Sequence, residues 1–407
     1  MSKGIPGLSA LAHQGILMPQ ESLQEAGKLR QSLYIGIPRE TSFQENRIPL
    51  VPSSVALLVN NGHQVMVETG AGTGANFSDH DYSDVGARIA YSTPEVYKAD
   101  LVLKVAPPSL DELSYIRDKQ SLMSILQVGM QSAGYVQQLS NKKITALAFE
   151  YLQDETSIYP VIQAMSEIVG SAVILIASEL MSGASGGKGE LLGGVPGIPP
   201  PEIVIIGAGT VSEYAARAAI GLGANVKIFD NSIYKLRRIQ RNLGSRVYTS
   251  IINPVELLKA LKTCDVAIGA ILSKEGRSPV IVTEDMVAEM RFGSVVIDVS
   301  IDQGGCFETS EVTNHSAPVF KKHGVVHYCV PNIASRVART ASMALSNIFT
   351  PILINMGEVG GMDALLWKDK HVRSAAYLYK GTITNRYVAE YCRLPFRDLN
   401  LLMAARI

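Results

Sequence analysis

The chain has 407 residues, more than one typical domain holds and compatible with two or three. Hydrophobic residues make up 47% and charged residues 18%, a balance that fills a large core and excludes a disordered chain. Lysine plus arginine and aspartate plus glutamate stand at 37 each, so no global field draws nucleic acid or an anionic membrane.

Four cysteines (Cys264, Cys306, Cys329, Cys392) are scattered without a CxxC pair, which argues against a metal knuckle or a disulfide scaffold. The first 30 residues lack the basic start and continuous apolar stretch of a signal peptide. No apolar run reaches the ~18 residues of a membrane span. The expectation is a cytoplasmic protein that binds neither nucleic acid nor membrane.

Residues 1–32 read as an N-terminal extension with one helix around residues 20–30. From Leu33, β-rich runs at 33–38, 63–68, 87–91, 99–105, 121–128 and 144–150 alternate with helix-compatible stretches such as 53–61 and 134–141. Alternation at this spacing predicts βαβ crossovers and a parallel sheet. Residues 165–181 form a long apolar segment, helical by its length. The glycine-rich loop at 182–200 superficially resembles a phosphate-binding loop, but Gly189 follows Lys188 where such a loop has serine or threonine, and no strand precedes it. A second series of runs, at 202–206, 226–230, 246–249, 265–270, 294–299 and 325–329, makes six strands of a dinucleotide-binding sheet. The remainder reads as mostly helical, with 341–356 interrupted by Pro351 and a further segment at 382–392. The expected architecture is α/β, with two doubly wound Rossmann-like domains and a cleft between them. Residues 33–164 plus 340–407 form a discontinuous substrate domain, and 165–339 form the dinucleotide domain.

The strongest local signal is Glu202-Ile-Val-Ile-Ile-Gly-Ala-Gly-Thr-Val-Ser-Glu213. An apolar strand runs into Gly207-x-Gly209-x-x-Ser212 and then an alanine-rich helix. Gly207 permits the tight turn. The bare Gly209 lets a diphosphate approach the free N–H groups of the helix start. Asp230, at the end of the next strand, is placed to accept hydrogen bonds from ribose hydroxyls and to repel a 2′-phosphate, which selects NAD over NADP. Arg237 and Arg238 nearby leave an NADP reading open. Ser212 replaces the third glycine, and Glu213 adds negative charge near the phosphates.

Several motifs together resemble the alanine dehydrogenases and, more distantly, the NAD-binding subunit of proton-translocating transhydrogenases. They are Gly36-Ile-Pro-Arg-Glu-Thr41 with Arg47, Glu68-Thr-Gly-Ala-Gly72, Ala99-Asp-Leu-Val-Leu-Lys-Val105, Met165-Ser-Glu167, Gly193-Gly-Val-Pro-Gly197, Gly207-Ala-Gly-Thr210, Ile301-Asp-Gln-Gly-Gly-Cys-Phe-Glu308 and Val330-Pro-Asn332. The run starting at Ile301 favours the dehydrogenase branch. The resemblance covers about residues 33–396. It implies reversible oxidative deamination of L-alanine to pyruvate and ammonia with NAD, and a homo-oligomer, commonly a hexamer. It implies substrate carboxylate binding by Arg47 and an essential aspartate, Asp302, beside the nicotinamide. It also implies cofactor or substrate contacts from Ser166, Thr210, Val211, Lys235, Ile271, Leu272, Ile301, Val330 and Asn332.

Two departures stand out. The family's substrate lysine, two positions after Lys104, is Ala106 here, and its proton-exchanging histidine is Gln127. Glutamine orients a carbonyl by hydrogen bonding but is no general base, and acid–base assistance is worth ~10²–10⁴-fold in rate. Lys104 turning inward to the substrate, or Asp302 serving as base, would substitute for them. Two readings therefore stand: an NAD-dependent oxidoreductase acting on L-alanine or on another amino or 2-oxo acid, and a catalytically silent NAD(H)-binding sensor or interaction protein. Arg47, Asp230 and Asp302 favour the first, and Ala106 and Gln127 the second.

Overall fold

The computed structural model describes residues 31–273 and 277–404; the helix expected around residues 20–30 lies outside them. The strands, in chain order, are β1 (Tyr34–Ile37), β2 (Gln64–Glu68), β3 (Arg88–Ala90), β4 (Leu101–Leu103), β5 (Ser121–Ser124), β6 (Thr145–Ala148), β7 (Glu202–Ile206), β8 (Asn225–Phe229), β9 (Tyr248–Ser250), β10 (Val266–Gly269), β11 (Val295–Asp298), β12 (Val319–Lys322), β13 (Val325–Tyr328), β14 (Ala376–Tyr379) and β15 (Thr382–Ile383). Several of the central strands are buried at every position, as in β4 (Leu-Val-Leu) and β6 (Thr-Ala-Leu-Ala). Burial on both faces is what a parallel sheet covered by crossover helices requires.

Two sheets result, ordered β15-β14-β6-β5-β4-β1-β2-β3 and β12-β13-β11-β10-β7-β8-β9. In the first, the six strands from β6 to β3 are parallel, and β14 joins antiparallel to β6. In the second, the six strands from β13 to β9 are parallel, and β12 folds back on β13 as a hairpin. Chain order reverses between β1 and β4 in one sheet and between β7 and β10 in the other. In doubly wound sheets the ligand crevice opens beyond the carboxyl ends of the strands at that reversal.

Three elements differ from the sequence reading. The tail, expected to be mostly helical, also contributes two strands, β14 and β15, to the first sheet. The expected break at Pro351 is absent, and the Ala338–Val359 helix runs through it. Pro351 lies on the exposed side of that helix, and the hydroxyl of the residue just before it, Thr350, donates to the Ser346 carbonyl one turn back at 2.6 Å. Finally, Pro160–Met181 and Ile333–Val359 both have the length and hydropathy of a membrane span, yet each buries one side in the protein core.

Candidate functional site

The dinucleotide crevice is built from the loops after β7 and β10. Gly207 has φ +110°, and a side chain there would place Cβ 2.3 Å from the Ala270 carbonyl oxygen, so only glycine lets the two loops touch. Gly209 ends the loop as the N-cap of the Thr210–Leu222 helix, with no side-chain cap. A Cβ at Gly209 would meet nothing within 4 Å. The free N–H groups of the helix start at Thr210 and Val211 thus face open space, an arrangement that favours anions. Ser212 is fully buried, so serine fits where the fingerprint wants glycine. The close approach needed for helix packing is supplied instead by Gly170, where a Cβ would lie 2.4 Å from the Val211 carbonyl oxygen. Glu213 is drawn to Arg217 (3.3 Å) and Asn242 (3.0 Å).

Asp230 is buried beside this loop, where Oδ2 accepts the Ala208 N–H at 2.8 Å and Oδ1 the Ser232 N–H at 2.7 Å. Lys235 Nζ stands 3.8 Å from Oδ2. Each carboxylate oxygen keeps a second lone pair for a ribose hydroxyl. Of the two neighbouring arginines, Arg238 donates to the Ala208 carbonyl at 3.1 Å and Arg237 is exposed. Ile271 fixes the opposite lip by donating its N–H to Ser300 Oγ at 2.9 Å, while Leu272 is exposed. An open diphosphate cradle, a sugar-facing carboxylate and a lip of apolar side chains fit a dinucleotide.

The turn after β11, Val299–Gln303, carries buried Ile301 and then Asp302. Solvent reaches Asp302, yet protein crowds it closely enough that burial raises its carboxyl above the usual aspartate range; the Asn332 backbone N–H and the Arg47 charge oppose that rise. Asn332 follows buried Val330 and adopts a left-handed conformation with φ 56°.

The facing wall comes from the first sheet. Helix Ala338–Val359 and the turn before it pin the Asn46–Val51 segment: Ser335 Oγ accepts the Asn46 N–H (2.8 Å), Ser342 Oγ that of Ile48 (2.9 Å) and Ser346 Oγ that of Val51 (3.0 Å). Within this segment, Arg47 donates Nε to Glu45 Oε1 at 2.7 Å and Nη2 to Oε2 at 2.5 Å, while Nη1 meets Met165 Sδ at 3.5 Å. Glu45 also accepts Asn332 Nδ2 at 3.0 Å, which bridges the two walls. Ser166, next to Met165, is half-buried on the Pro160–Met181 helix.

Lys104 is not brought to the cleft. It is wholly buried, with Nζ 2.7 Å from Glu112 Oε1 and 3.4 Å from Glu40 Oε2. Its ammonium is thus paired inside the protein with two carboxylates rather than exposed at the surface. Glu40 accepts the N–H groups of Val105 (2.6 Å) and Ala106 (3.3 Å). Burial pushes Glu40 up to about 7 against the pull of Lys104. Gln127, after β5, is exposed with φ 48°. Its N–H and that of Leu126 both go to Glu150 Oε1, at 3.0 and 2.8 Å.

Sequence reasoning missed Glu45, Glu40, Met165 as a contact of Arg47, and the three serines. Only the two-residue spacing of Glu45 and Arg47 offered a local signal.

Family models for the N-terminal and C-terminal domains of alanine dehydrogenase/PNT match residues 36–169 and 172–386. Alanine dehydrogenase 2 of Staphylococcus aureus strain Mu50 is 38% identical over 366 residues, which covers 90% of this chain and 98% of the relative. Among solved structures, an L-alanine dehydrogenase superposes with a TM-score of 0.82 at 36% identity, covering 88% of this chain and 98% of that one. A transhydrogenase from Sinorhizobium meliloti shares the fold with a TM-score of 0.74 at 24% identity, over 87% of this chain and 99% of that one.

Proposed function

The chain belongs to the alanine dehydrogenase/PNT family, and from that premise we propose that it is an NAD-dependent oxidoreductase interconverting a small amino acid, L-alanine first, with its 2-oxo acid and ammonium. The observation that carries this reading is the pair of opposed groups in one cleft: Arg47 on one wall and Asp302, its carboxyl raised by crowding, on the other. When bound, NAD supplies the hydride acceptor. Gly207, Gly209, Thr210 and Val211 would hold its diphosphate and Asp230 its ribose, with Ser166, Lys235, Ile271, Leu272, Ile301, Val330 and Asn332 lining the crevice.

The chain's own residues then divide the work. The free Nη edge of Arg47 takes the substrate carboxylate, and Asn332 and Gln127 orient the amino or carbonyl group. Asp302 accepts the ammonium proton, so that the amine nitrogen can push out the hydride. Water adds to the resulting iminium carbon, and ammonium leaves. A homo-oligomeric, hexameric assembly in the cytoplasm belongs to the same proposal, by resemblance to the family.

The test follows NADH absorbance with pyruvate plus ammonium and then with a panel of 2-oxo acids, alongside calorimetric titration with NADH. Turnover that disappears in Asp302→Asn supports the enzyme. A second reading, an NAD(H)-binding protein without catalysis, draws on the burial of Lys104 and the alanine at 106, which leave Arg47 as the cation facing the substrate. Binding of NADH without turnover of any substrate selects it.

A further inference from the structure

The turn that presents Asp302 closes around a second aspartate. Asp298, the last residue of β11, is fully buried. Its Oδ1 accepts the Ser300 N–H at 3.0 Å; its Oδ2 accepts the N–H groups of Cys306 at 2.8 Å and Phe307 at 3.2 Å and the Ser310 hydroxyl at 2.7 Å. Cys306 Sγ lies 3.7 Å from Oδ1. Glycines make room for the carboxylate: a Cβ at Gly305 would lie 2.7 Å from Oδ2, and one at Gly269 3.1 Å from Oδ1.

A buried carboxylate that gathers this many donors fixes the backbone that supplies them. Here that backbone belongs to two parts of the cleft. Ser300 gives its N–H to Asp298 and its Oγ to the Ile271 N–H of the dinucleotide lip. Asp302 sits two residues further along the same turn. The Cys306, Phe307 and Ser310 contacts anchor the returning segment of the loop.

We propose that Asp298 is the positioning residue of the site: one buried carboxylate sets both the turn that aims Asp302 and, through Ser300, the Ile271 lip that meets the dinucleotide. The inference rests on the reading of Asp302 as the proton acceptor, and it adds a link between cofactor affinity and turnover that runs through a group touching neither cofactor nor substrate.

The experiment compares the full-length protein with Asp298→Asn, Ser300→Ala and Ser310→Ala, measuring NADH dissociation constants by calorimetry, kcat and KM for the 2-oxo acid, the pH profile of kcat, and melting temperature. Asp298→Asn turns an acceptor into an amide donor facing N–H groups. It is expected to weaken NADH at least tenfold, to lower kcat at least 100-fold and to move the acidic limb of the kcat pH profile, where Asp302 takes up its proton, with little change in KM. Ser300→Ala cuts only the lip and is expected to weaken NADH about tenfold. Should Asp298→Asn fail to fold, Ser310→Ala removes one donor from the far side and is expected to lower kcat about tenfold at unchanged KM. NADH affinity and kcat within twofold of wild type in Ser310→Ala, or in a folded Asp298→Asn, overturns the proposal whatever happens to melting temperature. If the wild type binds NADH but turns over nothing, the enzyme reading fails, and the affinities of Asp298→Asn and Ser300→Ala alone decide this inference.

Discussion

Glu45 holds Arg47 fork to fork, with Oε1 on Nε at 2.7 Å and Oε2 on Nη2 at 2.5 Å. The pair is largely buried, with side chains 5% and 12% exposed. The grip consumes one edge of the guanidinium and leaves the Nη1–Nη2 edge for an incoming carboxylate, already aimed. It also reaches across the cleft, because the same Glu45 carboxylate takes Asn332 Nδ2.

Arg47→Lys keeps the charge and loses the two-edged geometry, since an ammonium cannot serve Glu45 and a substrate carboxylate side by side. One charge-assisted hydrogen bond is worth about 1.5–3 kcal/mol, so KM for the 2-oxo acid is expected to rise roughly 10–100-fold while NADH affinity stays the same. Glu45→Gln, which keeps the shape and loses the anion, is expected to raise KM less. Initial-rate kinetics with calorimetric NADH titration check both, and an unchanged KM in Arg47→Lys would remove Arg47 from the substrate site.

Gly207 and Gly209 make opposite predictions from the same motif. Gly209→Val places its side chain where nothing stands within 4 Å, at φ −84°, which any residue adopts. The protein is expected to melt as wild type does, with NADH affinity reduced at least 100-fold, because the branched side chain fills the diphosphate cradle. Gly207→Ala drives a Cβ into the Ala270 carbonyl at positive φ and is expected to lower the melting temperature outright. Should Gly209→Val bind NADH normally, the diphosphate sits elsewhere.

This contrast also marks how far the sequence could be read. The loop from Gly207 to Asp230 is local, and a strand, two glycines, a helix and an acid at fixed spacing carry its logic. The central strands were legible for a related reason: a parallel strand buried on both faces is a short apolar run. Val319–Lys322 alternates exposed and half-buried positions at a sheet edge, and Ala376–Tyr379 is a four-residue run inside a helical tail, so neither announces itself. The substrate wall was the least legible part. The Glu45–Asn332 contact joins residues 287 positions apart, and the serines that pin Arg47's backbone lie 289–295 positions from their partners. Lys104 reads as a free cation beside the family's missing lysine. Only the fold shows Glu112 and Glu40 closing over it.

Glu40 makes stability depend on pH. Its carboxyl is raised from 4.5 to about 7, by burial first, with Glu45 and Glu112 adding to the rise and Lys104 and the Val105 N–H opposing it. The folded chain therefore holds the Glu40 proton more tightly than the unfolded chain does. The stabilisation is complete below pH 4.5 and is lost as pH climbs through 7. At 1.36 kcal/mol per unit, the loss is about 3 kcal/mol. Glu40→Gln mimics the protonated acid and is expected to escape it, so urea unfolding at pH 5 and pH 8 should show wild type losing stability relative to the variant as pH rises. A difference that stays constant between the two pH values rules this out.

Gln127 offers the sharpest test of what the cleft is for. Its backbone conformation, φ 48° and ψ 56°, is one that histidine tolerates comparatively well, and Glu150 holds the peptide through the N–H groups of Leu126 and Gln127 whatever the side chain. Gln127→His therefore puts an imidazole where the proposed mechanism uses the glutamine amide, with no change to its mounting. If Asp302 alone carries the proton in an alanine-type reaction, a second acid–base group relieves it, and turnover of pyruvate with ammonium is expected to rise about tenfold, less than the ~10²–10⁴-fold that full acid–base assistance gives, because Asp302 already supplies part of it. A variant no faster than wild type on pyruvate, yet much slower on another 2-oxo acid at equal NADH affinity, would mean that Gln127 hydrogen-bonds a substrate group that alanine lacks. The 2-oxo acid panel would then identify that group, because the substrate most damaged by Gln127→His is the one whose polar side chain the glutamine amide meets.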